Sequence, residues 1–117
     1  WLGEHGYATS QAPVGVIAAG ERWSDGSLRP AIEDLFGAAL VIGGLAAGGT
    51  ALSAEAAVAE RSVVGLASKQ IADLVRASRS GVELRVAGYE ADVEIAVAMD
   101  ADDVVPILRE EGAGFRR

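Results

Sequence analysis

Six ionisable side chains crowd into residues 18–38, AAGERWSDGSLRPAIEDLFGA: Glu21, Arg22, Asp25, Arg29, Glu33 and Asp34. Carboxylates so placed can ligate a divalent cation or orient a water. A guanidinium at Arg29 can grip a phosphate, carboxylate or sulfonate through two parallel hydrogen bonds. Glu33 and Asp34 pull two ways. In the first turn of a helix each gains roughly 0.3–1 kcal/mol from the helix dipole, which explains them without any site. They would also repel a bare anion, so a ligand site here needs a cation between acids and anion.

Other chemistries are excluded or have simpler explanations. His5 is the only histidine and there is no cysteine, so neither a histidine cluster nor a thiolate metal site is available. His5 has no serine motif beside it to build a nucleophilic triad. No Gly-Lys-Ser/Thr follows a strand, so there is no P-loop. Asp100, Asp102 and Asp103 lack the loop length and closing glutamate of a calcium site and read as solvated. Ser80-Gly81-Val82-Glu83 fits a capping box, a structural explanation for Ser80 and Glu83.

The elements around this stretch follow from pattern. Residues 13–19 (PVGVIAA) form a continuous apolar run that suits a strand buried on both faces, ended by Gly20. Ser24-Asp25-Gly26-Ser27 is turn chemistry. Pro30 pre-sets a helix running to about Leu45, apolar nearly all round and therefore expected to be covered on both sides. Gly43-Gly44 implies either fraying or a close backbone neighbour. Ser53 caps a helix reaching about Val64, and a further helix spans about 69–77. A short helix follows from Ser80, closed by Gly88, and another covers 89–98. Residues 103–108 (DVVPIL) read as a second strand with Pro106 at its edge or end. Residues 1–6 look like a helix tail and 110–117 like a glycine-containing tail.

With 117 residues the chain is one domain at most. Its net charge of −7 and pI near 4.6 argue against nonspecific nucleic-acid binding. Residues 35–52 carry no charge, yet their glycines and alanines favour a buried helix over a membrane span. The absence of cysteine fits a reducing cytoplasm. Two strands among four or five helical pieces leave many backbone groups unpaired. The chain is therefore expected to be part of a larger α/β unit, completed by an upstream half or by a homo-oligomeric partner.

The stretch 18–38 resembles the 2-phosphosulfolactate phosphatases, the ComB-like family, in which a strand ends in Ala-Gly-Glu and a helix opens on Arg-Pro-x-x-Glu-Asp. The likeness continues through LSAEAA (52–57), SGVEL (80–84), GYEADVEIA (88–96) and VVPIL (104–108). The resemblance implies a layered α/β/α fold with a mixed sheet, of which residues 1–117 would be the helix-rich C-terminal half. It also implies Mg²⁺-dependent hydrolysis of 2-phospho-3-sulfolactate, a small anionic phosphoester, on the route to coenzyme M. On that reading Glu21 and Asp34 are catalytic and Asp34, Glu33 and Glu21 serve the metal. Arg29, Arg22 and Ser80 hold substrate, and the isolated segment would be inactive. Other small phosphoesters fit the same residues. The alternative is a non-catalytic structural segment whose acids and arginines serve only as caps and ion pairs.

Overall fold

The computed structural model describes residues 1–108 and the backbone of Phe115 and Arg116. Among the described residues there are five α-helices and two small sheets, an α/β composition. Strand β1 (Glu21–Arg22) pairs antiparallel with β2 (Leu28–Arg29), with Glu21 opposite Arg29 and Arg22 opposite Leu28. Helices α1 (Ile32–Ala47), α2 (Ala54–Arg61), α3 (Ser68–Ala77), α4 (Arg79–Val86) and α5 (Glu90–Ala96) follow. Strand β3 (Ile107–Leu108) pairs antiparallel with β4 (Phe115–Arg116). A 3₁₀ turn at Gly3–His5, ended by left-handed Gly6, replaces the expected helix tail.

The helices pack in chain order, α2 on α1, α3 on α4, α4 on α5, with α3 also touching α1. Phe36, Ala38, Ala39 and Ile42 of α1 form the core with Ile71 and Ala72 of α3 and Val93 of α5. Small residues let these backbones approach closely. Helix α1 is covered on one side only, since Leu40 and Val41 are exposed. It runs straight through Gly43-Gly44 without fraying, and a Cβ on Gly43 would meet Glu60 of α2 at 3.9 Å. The close neighbour is thus a side chain, not a backbone. Ser53 caps α2 as expected, its side chain accepting from the Ala56 N–H. Gln70 reaches back to the Ala67 N–H at the start of α3.

Three expectations are corrected. Residues 13–19 belong to no ladder: Ala12, Val14 and Val16 are half-buried while Pro13, Gly15 and Ile17 face outward, Ile17 at 88% exposure. Ala18 and Ala19 are exposed as well, so the run is not buried on both faces. Both ladders among the described residues are antiparallel pairs. The cap of α4 is Ser78, which accepts from the Gly81 N–H, so Ser80 lies inside the first turn. Of the expected strand 103–108 only Ile107–Leu108 pairs, after Pro106, which has no N–H to donate. The tail 110–117 lies outside the described residues apart from the two in β4.

Candidate functional site

Gly20 is the pivot. Its φ of +72° is left-handed, and a Cβ there would lie 2.9 Å from the Arg29 carbonyl oxygen. Both facts require glycine. Its N–H donates to Asp34 Oδ2 at 2.6 Å, which ties the hairpin entry to the first turn of α1. The hairpin closes through Trp23 N–H to the Ser27 carbonyl and Gly26 N–H to the Trp23 carbonyl, each 2.9 Å. Ser27 donates its N–H and hydroxyl to Asp25 Oδ1, and these bonds hold the Asp25 carboxyl below its ordinary range. Gly26 supplies the left-handed residue at φ +85°.

This geometry sorts the candidates. Glu21, Arg29 and Asp34 meet around one short hairpin: Glu21 faces Arg29 across the ladder, and Asp34 holds the residue just before Glu21. Glu21 is exposed. Arg29 is buried, the one buried charged side chain among the described residues. Its Nη2 donates to Glu83 Oε2 at 3.1 Å and to Ser80 Oγ at 3.5 Å, so Ser80 joins the cluster from 51 residues away. Arg22 goes elsewhere, donating from Nη1 to the Gly26 carbonyl at 2.8 Å and bracing the turn. Glu33 is half-buried, and its Oε2 has no hydrogen-bond partner among the described residues. Asp100, Asp102 and Asp103 are exposed, as solvated acids should be.

Trp23 escapes the sequence reading, and Glu83 is read there only as part of a helix cap. Trp23 carries the guanidinium of Arg29 at 5.5 Å from its ring centroid and that of Arg79 at 5.3 Å. Glu83 bridges both arginines, since Arg79 Nε donates to its other oxygen at 2.8 Å. The i,i+4 spacing of Arg79 and Glu83 was a readable signal. The approach of Trp23 was not.

Among the described residues no three acids or histidines converge on one point that could hold a metal. Magnesium asks for less, since it commonly takes one or two carboxylates and fills its shell with waters and phosphate oxygens. The candidates for that smaller demand are Glu33 Oε2, buried without a partner among the described residues, and the Asp34 carboxylate, whose Oδ2 already accepts the Gly20 N–H. A cleft of about 980 Å³ opens elsewhere, between residues 13–18 and α1, lined by Val14, Val16, Leu35, Ala38, Ile42 and Leu45 among others. None of the candidate site residues lines it. No helix among the described residues is long and apolar enough to cross a membrane.

No curated protein and no solved structure matches the chain. The sequence pattern of the family described as 2-phosphosulpholactate phosphatase does match, over residues 5–111. That span takes in the hairpin, all five helices and every candidate residue, and the chain belongs to the 2-phosphosulpholactate phosphatase family.

Proposed function

We propose that the protein is built for Mg²⁺-dependent hydrolysis of 2-phospho-3-sulfolactate to 3-sulfolactate and phosphate, the coenzyme M type of reaction, or of a closely related phosphoester. The observation that carries this reading is a buried guanidinium, Arg29, facing Glu21 across a hairpin whose entry is fastened by Asp34. Family membership supplies the reaction class.

Arg29 keeps Nε and Nη1 without a hydrogen bond among the described residues, and these donors would hold oxygens of the substrate anion. Ser80 and Glu83 position that guanidinium by holding Nη2. Glu21, exposed and opposite Arg29, would orient the attacking water. Glu33 and Asp34 would hold Mg²⁺, which when bound neutralises charge developing on the phosphoryl oxygens. Arg22 contributes through the turn that it braces.

The larger architecture is part of the same proposal: a layered α/β/α unit with a mixed sheet, of which this chain is the C-terminal part. Supporting it, the apolar residues 13–19 belong to no ladder, with Ile17 bare. The radius of gyration, 15.7 Å, also exceeds the roughly 13 Å of a compact domain this long. An upstream half or a second copy would pair that run, and without it the segment would be inactive. We place the reaction in the cytoplasm.

A second reading has its own support. Arg29 is ion-paired to Glu83, and Asp34 accepts a backbone N–H, as purely structural side chains would. Phosphate release from 2-phosphosulfolactate by the full-length parent protein, together with thermal melts at increasing Mg²⁺, separates the two. A used magnesium site gives Mg²⁺-dependent phosphate release and a rising transition. A structural segment gives neither.

A further inference from the structure

Arg79 has no role in the reading above, yet its surroundings are specialised. Two guanidiniums approach one indole, Arg29 at 5.5 Å and Arg79 at 5.3 Å from the Trp23 centroid. Glu83 takes one hydrogen bond from each, 3.1 Å to Arg29 and 2.8 Å to Arg79. Two cations against one carboxylate leave one positive charge in excess. Glu21, opposite Arg29 in the ladder, makes no ion pair with either arginine among the described residues.

The two arginines differ in depth. The Arg29 side chain is 10% exposed and the Arg79 side chain 66%. Nη1 and Nη2 of Arg79 make no hydrogen bond among the described residues, so one full edge of its fork is open. Glu83 and Trp23 hold that fork in place, which lowers the ordering cost of using it. A buried and an open guanidinium flanking one ring suit a ligand with two separate oxyanions. The outer group must be ionised at all working pH values to profit from an arginine, which is itself always charged. A sulfonate meets that condition, as a carboxylate does near neutral pH, and the substrate that names the family carries a sulfonate.

We propose that Arg79 is a specificity-determining residue that receives the sulfonate of the substrate while Arg29 faces its other anionic end. The assignment rests on the phosphatase reading for the identity of the ligand. Its physical content is that Arg79, beside Trp23, binds a sulfonate.

Trp23 reports on the site directly. In a Trp1→Phe background it is the only tryptophan, so its fluorescence can be titrated with 3-sulfolactate and, as control, with lactate. Sulfolactate should change the emission and lactate should not. Arg79→Met, which keeps an apolar stem, should weaken sulfolactate binding at least tenfold, about 1.4 kcal/mol. Arg79→Lys should fall between. In turnover by the full-length parent protein, Arg79→Met should raise KM for 2-phosphosulfolactate about tenfold with kcat little changed, and leave KM for 2-phospholactate unaltered. Sulfolactate binding unchanged by Arg79→Met, no emission change in the parent, or equal KM increases for both substrates would overturn the assignment. Binding that depends on Arg79 in a protein with no phosphatase activity would uphold the sulfonate site and reject the phosphatase reading instead.

Discussion

Gly81→Ala should destabilise the protein, although it replaces glycine within a helix. Gly81 is buried in the first turn of α4, where the helix sits on the last carbonyls of α3. A Cβ there would overlap the Val75 carbonyl oxygen and lie 3.1 Å from that of Arg76. These are backbone atoms, and no rotamer change can clear them. Alanine gains about 1 kcal/mol in helix propensity, whereas overpacking against fixed atoms costs about 3 kcal/mol at the upper end of its usual range. The clash wins by ~2 kcal/mol, or roughly 10 °C in Tm for a domain near this size. Denaturant melts read with the slope held in common would measure it. Since α4 must shift to relieve the overlap, Ser80 and Glu83 move off Arg29, and the affinity for an anionic substrate should fall as well. A Gly81→Ala variant as stable as the parent, or more so, would refute the packing argument.

The cap assignment gives a paired test. Ser78→Ala should cost about 1 kcal/mol by exposing the Gly81 N–H, while Ser80→Ala should shift stability by no more than about 0.5 kcal/mol; equal losses in thermal melts would restore Ser80 as the cap. The acid side of the stability profile follows from Asp73 and Glu94. Hydrogen bonds from Lys69 and Arg76 respectively hold their carboxyls below the ordinary 3.8 and 4.5. A depressed folded value means their stabilisation is present above those ordinary values and is lost as pH falls through the lower folded ones. Tm measured from about pH 6 down to about pH 2 should therefore decline, and Arg76→Met should flatten the decline by releasing Glu94; an unchanged slope would contradict the assignment.

Local chemistry was the legible part of the sequence. Ser53 announced α2, Pro30 with the two acids announced α1, and Gly88, at φ +90°, closed α4 as expected. Legibility failed where a distant contact decided. Ser78 and Ser80 both stand near the start of α4, and the Ser-x-x-Glu pattern favours Ser80. Gly81, whose missing side chain lets α4 rest on α3, decides for Ser78. The turn at Asp25-Gly26 was readable, but its strands, of two residues each, are too short to show alternation. The partners of Arg29 lie 51 and 54 residues away, and no spacing rule connects them. The exposure of residues 13–19 was masked because Val, Ile and Ala make the whole run apolar.

Asp34→Asn tests the central claim most directly. Asparagine keeps an acceptor for the Gly20 N–H, so the hairpin entry stays fastened while the negative charge is removed. Phosphate release from 2-phosphosulfolactate by the full-length protein should rise with Mg²⁺ in the parent and fall on the order of a hundredfold in Asp34→Asn, with Tm nearly unchanged in the absence of Mg²⁺. Equal turnover and equal Mg²⁺ dependence in the two proteins would show that this carboxylate only fastens the fold.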